Sequence, residues 1–296
     1  MSNTAIPRKA VLIVNAHSRR GAKLFRQARS KLKAAGIELT AAHAVRHPPD
    51  LKDRVIEAVK SGAPMIIVGG GDGSLSGAVD HMLEDGCVFA LLPLGTANSF
   101  ARTLGVPLDL DGAVETIISG RLRRVDLGVI DGDYFVNSAA IGLAPLVGES
   151  IPPQLKKYLG RFGYLLWAIW QLIRFRAFEL TVETDDGVRH LPAVEVRIAN
   201  GGFHGGVEVV EDSEVDSGEI VVQAVTGRAR RTLIRNWLAT LLKLPARRES
   251  IVEYRGRSLR ISTDPPLAIS IDGEVTARTP ALVEIAARAI QVVVPA

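Results

Sequence analysis

The sequence predicts an α/β protein in two parts. Residues 1–125 read as a parallel sheet covered by helices, and residues 126–296 as a β-rich antiparallel unit. Three observations predict this. Through the first 125 residues, short aliphatic runs alternate with helix-length amphipathic stretches, the pattern of βαβ units. Two of those runs end in small-residue loops rich in glycine. Beyond Arg124 the spacing tightens into hairpin signals, Asp131-Gly132-Asp133 and Asp185-Asp186-Gly187.

In order, the front half reads as strand 10–15, helix 22–35, strand 37–45, helix 50–61, strand 65–68, helix 74–84 and strand 88–92. Helices near 99–104 and 110–119 close it. The back half reads as strands 125–130, 134–139, 178–184, 188–199, 219–225, 250–254, 257–263 and 267–271, then 281–294 in pieces. Helical stretches near 154–176 and 229–243 are inserted among them. No internal repeat or low-complexity linker separates the halves, so a close packing with a cleft between them is expected.

Composition narrows the class. With 47% hydrophobic and 23% charged residues, the 296-residue chain is an ordinary folded protein long enough for two cores. Its single cysteine, Cys87, cannot form an internal disulfide, and the N-terminus shows no apolar stretch of signal length. A reducing cytoplasmic setting is therefore expected. The net charge of +4 permits anionic ligands without choosing one, and the 5% aromatic content with no recognition motif argues against nucleic acid. The histidines lack metal-ligand spacing.

The chemistry concentrates in loops. Met65-Ile66-Ile67-Val68 runs into Gly69-Gly70-Gly71-Asp72-Gly73-Ser74, with a helix expected to open at Ser74. Glycines let phosphate approach the backbone, and the N–H groups of such a turn suit an anion. An acid at Asp72 makes sense if a divalent cation or a nucleotide hydroxyl lies between it and the phosphates. No G-x-x-x-x-G-K-[ST] element occurs, and the dinucleotide fingerprint fails because Ser76 precedes Gly77. A second loop, Pro93-Leu94-Gly95-Thr96-Ala97-Asn98-Ser99, follows the next strand on the same sheet edge, where ligands bind in such folds. Thr96 and Asn98 offer donors, and Ser99 is placed to cap a short helix.

Together, GGGDGS and LPLGTANSFAR resemble the catalytic domain of the diacylglycerol kinase and sphingosine kinase superfamily, nearest its bacterial soluble lipid kinases of the diacylglycerol kinase type. The likeness extends over nearly the whole chain, through Asn15-Ala16-His17-Ser18, Gly201-Gly202-Phe203, Val215-Asp216-Ser217-Gly218 and Ile271-Asp272-Gly273-Glu274. It implies an NAD-kinase-like and diacylglycerol-kinase-like fold, ATP and Mg2+ as cofactors, and a lipid hydroxyl as acceptor. It further implies a nucleotide cradle of Asn15, Ser18, Gly69, Gly70, Gly71, Asp72, Gly73, Ser74, Gly95, Thr96 and Asn98. Asp272 would deprotonate the acceptor with Glu274 in support, and Asp216 would tune a metal network. A plain hairpin turn also accounts for Asp272-Gly273, and a solvated turn for Asp216.

The chain departs from that pattern at Ser76 and Gly77, where Asn-Glu is usual, and at Ser99 and Ser217, where relatives have aspartate. A soluble-acceptor kinase of the NAD kinase type, and a relative that binds without turnover, stay open on these residues. Residues 155–178 are strongly apolar with Lys156, Lys157, Arg161, Arg174 and Arg176 at their ends and no acid between Lys156 and Arg176. Their uncharged centre is too short to cross a bilayer, which needs about 20 apolar residues. The segment reads either as a core helix or as a peripheral membrane contact. The oligomeric state stays open, a homodimer among the options.

Overall fold

A computed structural model describes residues 5–17, 19–47, 49–83, 86–204, 207–208, 215–228, 231–235 and 250–296. The front half runs β1 (Lys9–Asn15), α1 (Arg19–Ala34), β2 (Glu38–Val45), α2 (Asp50–Lys60), β3 (Met65–Gly70), α3 (Asp72–Val79), β4 (Val88–Pro93), α4 (Ser99–Thr103) and α5 (Leu110–Ser119). The parallel order is β2-β1-β3-β4. Every residue of β3 and β4 is buried, as expected for central strands covered on both faces. The helices carry local signals of their own. In α2, Leu51, Val55 and Ala58 are buried at helical spacing, with Asp50 and Asp53 in the first turn and Lys60 in the last. Asp109 caps α5 by accepting from Gly112 N at 2.8 Å.

The back half runs β5 (Arg121–Ile130), β6 (Asp133–Phe135), β7 (Ser138–Gly142), α6 (Leu143–Ser150), α7 (Pro153–Arg174), β8 (Phe178–Thr184), β9 (Gly187–Ala199), β10 (Phe203–His204), β11 (Val207–Glu208), β12 (Ile220–Thr226), β13 (Ile251–Gly256), β14 (Ser258–Asp264), β15 (Ala268–Ile271), β16 (Glu274–Arg278) and β17 (Ala281–Val294). Its strands pair antiparallel, and β10 with β11 forms a separate ribbon. The architecture is the expected one: a helix-covered parallel sheet followed by a β-rich unit.

The last strand stitches the halves together. β17 pairs antiparallel with both β14 and β5, and its end runs parallel to β4 at Gln291 and Val292. Two large hydrophobic cores result among the described residues. One gathers β1, β3, β4 and their helices together with Ile290–Val294; the other lies among the back-half strands.

Four local readings need correction. The helix after the glycines opens at Asp72, not Ser74, because Gly69 and Gly70 extend β3 and Gly71 is the extended residue before the first turn. Ser99 is the first residue of α4 rather than its cap; Asn98 precedes it in the left-handed region at φ 49°. β17 is one strand of 14 residues, with a register shift near Arg288 instead of breaks. Finally, α6 and β16 were not anticipated: α6 contains Pro and Gly, and β16 is a half-exposed edge strand without an apolar run. Residues 231–235 are helical, and the rest of the helix expected over 229–243 lies outside the described residues.

Candidate active site

The carboxyl ends of β1, β3 and β4 bring the two small-residue loops together. Leu94 N donates to Gly70 O at 2.9 Å. A Cβ on Gly95 would overlap Gly71 Cα, so the two turns touch backbone to backbone and only glycine permits it. Asn98 braces its own loop: Gly95 N donates to Oδ1 at 2.9 Å, and Nδ2 donates to Gly95 O at 3.1 Å. Asp72 ties the first loop to the second by accepting from Phe100 N at 3.1 Å. From β1, Asn15 Nδ2 donates to Ser74 Oγ at 3.0 Å. A Cβ on Gly70 would sit 2.5 Å from Ser74 Cβ, so this approach also needs glycine.

Of the expected cradle, Asn15, Gly69, Gly70, Gly71, Asp72, Gly73, Ser74, Gly95, Thr96 and Asn98 therefore cluster at one sheet edge, with Thr96 exposed in the second loop. Ser18 lies outside the described residues. In the first turn of α3, Ser74 N and Leu75 N donate to Gly71 O at 2.9 and 3.2 Å; an α-helix offers no acceptor to its first N–H groups, here those of Asp72 and Gly73, and such an end favours an anion.

Asp272 arrives from the other half. It occupies the β15–β16 turn at φ 45°, followed by Gly273 at φ 97°, the backbone of a two-residue type I′ hairpin. Its carboxylate lies against the start of β7. Val136 N donates to Oδ2 at 2.9 Å, and Asn137 N and Ser138 N donate to Oδ1, each at 3.1 Å. Ser76 Oγ, from α3, donates to Oδ2 at 2.6 Å, a length typical of a charge-assisted bond. Burial pushes the Asp272 pKa above the ordinary carboxylate value, and the four hydrogen bonds oppose that rise. A carboxyl so placed is a better proton acceptor than a free aspartate. Ser76, one of the departures from the usual pattern, is thus the direct side-chain link between the glycine-loop helix and Asp272.

Asp272 opens on a cleft of about 230 Å³ lined by Gly73, Ser76, Gly77, Asp80, Asp133, Tyr134, Ile271, Glu274 and Thr276. Glu274 lies at the exposed rim. Asp80 is exposed as a residue, yet loss of water over its carboxyl, followed by the charges of Asp133 and Asp272, pushes its pKa up to about 6 against the pull of Lys52. Neither Asp80 nor Asp133 stood out in the sequence. Asp80 follows the last helical residue of α3, and Asp133 looked like part of a turn.

Asp216 stands apart from this cleft. Its carboxylate forms a bidentate pair with Arg123, with Nε–Oδ2 at 2.9 Å. The residue that organises its loop is Asp126, only 1% exposed. Asp126 accepts from Gly218 N at 2.7 Å and from Arg288 N at 2.6 Å, and its backbone N donates to Val215 O at 2.6 Å. Asn200 Nδ2 then bridges Asp126 O, at 2.8 Å, to Val136 O, at 3.2 Å, beside the Asp272 cradle. A lone acid between Val125 and Leu127 in a buried strand was the available signal for it.

Mg2+ takes oxygen ligands and normally keeps water and substrate phosphates among them. Among the described residues, no group of three His, Cys, Asp or Glu side chains could hold a metal. Both Asp216 oxygens pair with Arg123 and one Asp72 oxygen accepts from Phe100 N, each keeping a further lone pair.

Comparison with known proteins identifies both halves of the chain. Residues 9–130 match the diacylglycerol kinase catalytic domain, and residues 140–294 match the YegS C-terminal NAD kinase beta sandwich-like domain. The fold is that of a two-domain kinase. A diacylglycerol kinase of Staphylococcus haemolyticus is 30% identical over 259 residues, 85% of this chain and 77% of that protein. One of Staphylococcus epidermidis is 29% identical over 286 residues, 93% of this chain and 88% of that protein. A crystal structure from Bacillus anthracis, provisionally assigned as a diacylglycerol kinase, superposes with a TM-score of 0.82 at 25% identity, covering 99% of this chain and 97% of that one. The chain belongs to the diacylglycerol kinase family.

Proposed function

We propose that this protein is an ATP-dependent lipid kinase that transfers the γ-phosphate to the hydroxyl of a diacylglycerol-like lipid. The observation that carries the reading is the meeting of Asp272 with Ser76 and Gly73 at one cleft: a buried carboxylate from the back half beside the glycine turns of the front half.

Residues 1–125 would serve as the nucleotide-binding unit and residues 126–296 as the lipid-substrate unit. The turns at 69–74 and 95–98, with Asn15, would cradle the phosphates through backbone N–H groups. Asp272 would take the proton of the acceptor hydroxyl as its oxygen bonds to the γ-phosphorus. The bond from that phosphorus to the β–γ bridging oxygen breaks, and ADP leaves. Most of the acceleration in such a transfer is positioning and charge stabilisation, to which a placed base adds about 10²–10⁴-fold. Mg2+, when bound, neutralises phosphate charge, and it would arrive on the nucleotide. Glu274 at the rim would support the acceptor end of the cleft.

The acceptor end is acidic, with Asp80, Asp133 and Glu274 in its lining. That favours an uncharged alcohol over NAD, whose pyrophosphate would face three carboxylates. A lipid acceptor resides in a membrane, so the protein would work in the cytoplasm as a peripheral protein; no helix among the described residues is long and apolar enough to cross a bilayer.

The test is transfer of labelled γ-phosphate from ATP to diacylglycerol in mixed micelles, run beside NAD in lipid-free buffer. Label in the lipid and none in NAD supports the reading. Label in NAD alone overturns it.

A further inference from the structure

The backbone of residues 136–138 is held by different partners on its N–H and carbonyl sides. All three N–H groups go to the Asp272 carboxylate, Val136 N to Oδ2 and Asn137 N and Ser138 N to Oδ1. Two of the three carbonyls go to a single residue. Asn200 Nδ2 donates to Val136 O at 3.2 Å, and Asn200 N donates to Asn137 O at 3.0 Å, joined there by Gly201 N at 3.1 Å. The third carbonyl, Ser138 O, accepts from Asp272 N at 3.0 Å. Asn200 follows the last residue of β9 and is 1% exposed. Its amide has a further anchor in Asp126 O at 2.8 Å, so two carbonyls take up the two Nδ2 hydrogens.

Peptide planarity carries these contacts through to the carboxylate. In a trans peptide the C=O of one residue and the N–H of the next lie in one stiff plane and point opposite ways. The peptides 136–137 and 137–138 are both trans. Holding Val136 O therefore sets the direction of Asn137 N–H, and holding Asn137 O sets that of Ser138 N–H. Both of these N–H groups donate to Asp272 Oδ1. A carbonyl that accepts a hydrogen bond also polarises its own amide, which strengthens the donor on the far side.

We propose that Asn200 is a positioning residue for the phosphate transfer: through two peptide planes it sets the place of Asp272 Oδ1 and the strength of two of its hydrogen bonds. This role rests on the lipid-kinase reading for the reaction it serves, and on hydrogen-bond geometry alone for its effect on Asp272. The residue type fits the task. An aspartate at 200 would turn an acceptor towards two carbonyls, and an alanine would leave both without the amide. A buried amide that only braced the fold would lower stability when removed and leave the titration of Asp272 where it was.

The experiment compares wild type, Asn200→Ala and Gln223→Ala. Gln223 is the matched control, a buried back-half amide, 5% exposed, whose side chain donates to Glu253 on β13 at 2.9 Å. Two readings are taken. One is the titration of the Asp272 carboxyl, followed by NMR of carboxyl-labelled aspartate without nucleotide or lipid, with Asp272→Asn locating the resonance. The other is kcat and the KM for ATP in lipid phosphorylation. In Asn200→Ala, Asp272 titrates at higher pH than in wild type, because hydrogen bonds to the carboxylate favour its charged form and the one from Asn137 N is weakened. On the alkaline plateau kcat falls about tenfold or more, and the KM for ATP stays within about twofold. Gln223→Ala melts at lower temperature and changes neither reading. Asp80, Asp133, Tyr134 and Glu274, which line the same cleft, and Lys52 beside Asp80, are common to all three proteins and do not separate the curves. Should Asn200→Ala fail to fold, Asn200→Ser, which keeps one short donor, carries the same two readings with smaller changes in the same direction. An Asp272 titration that stays in place on substitution of Asn200 overturns the inference, as does an equal displacement in Gln223→Ala. A displaced titration in a protein that phosphorylates no lipid keeps the positioning role and removes the kinase reading. Lipid phosphorylation that continues at the wild-type rate in Asn200→Ala, with the titration unmoved, does the reverse.

Discussion

The turn at Asp131-Gly132 and the turn at Asp272-Gly273 share one backbone. Their aspartates have φ of 50° and 45°, and both glycines have φ of 97°. Each joins two antiparallel strands through two residues. Their side chains meet different surroundings. Asp131 is exposed and accepts from Leu282 N at 3.0 Å. Asp272 accepts from three successive backbone N–H groups and from Ser76, and it opens on the cleft beside the glycine loop. An Asp-Gly turn is therefore a structural device in both places. What sets Asp272 apart is what is laid across it: the start of β7 on one side and α3 on the other.

The comparison breaks or holds on substitution. The largest expected effect is on turnover: Asp272→Ala lowers kcat by roughly 10²–10⁴-fold, while Asp131→Ala leaves the rate within about twofold of wild type, since it removes only a surface bond. Initial rates of lipid phosphorylation measure both. Asp272→Ala also strips three N–H groups of their acceptor, at about 1–3 kcal/mol for each that water does not reach. Its thermal melt should therefore fall further than that of Asp131→Ala.

The next effect separates the glycines. Gly95→Ala drives a Cβ into Gly71 Cα and within 2.8 Å of Asn98 Oδ1, forcing the two loops apart. Nucleotide affinity should fall about tenfold, the equivalent of roughly 1.4 kcal/mol, in a fluorescence titration. Gly132→Ala meets open space and changes only the strain of a left-handed residue, about 1 kcal/mol of stability, with nucleotide binding intact.

Ser76→Ala gives a smaller and directional effect. The serine hydroxyl lowers the Asp272 pKa, so its loss raises that pKa further above the ordinary value. A base works when deprotonated, so the rate climbs as pH rises through this pKa. The acidic limb of the kcat profile should then move to higher pH, with the plateau at alkaline pH preserved. A limb that stays in place separates Ser76 from the titration of Asp272. The smallest effect is at the Arg123–Asp216 pair. Both partners are partly exposed, and Arg123→Gln should change stability by no more than about 1 kcal/mol while leaving the Mg2+ requirement unaltered. A marked shift in the Mg2+ titration of activity would return Asp216 to the metal.

The fold was legible wherever burial imposes a period. Met65–Val68 and Val88–Leu92 are apolar runs because both faces of those strands are covered, and their glycine-bearing ends are visible in the sequence because no Cβ fits at Gly70 or Gly95. Asp272 was legible as a turn residue and as a motif. What lay hidden was the surroundings. Asp80, Asp133 and Ser76 reach the cleft only through tertiary packing, and each looks locally like a helix end, a turn or a filler. Asp126 is held by partners from 74 to 162 residues away, a separation no local pattern reports. The edge strand β16 escaped because half-exposed strands carry little periodicity, and α6 because Pro and Gly mask a helix that packing stabilises.

The central claim is a division of labour: two glycine turns of the front half hold the triphosphate, and one carboxylate of the back half handles the acceptor proton. Measuring ATP affinity and phosphate transfer side by side for wild type and Asp272→Ala tests it most directly. The account predicts an ATP Kd within about twofold of wild type and transfer to lipid reduced at least about 100-fold. Transfer that survives the substitution, or ATP affinity that collapses along with it, would contradict the account.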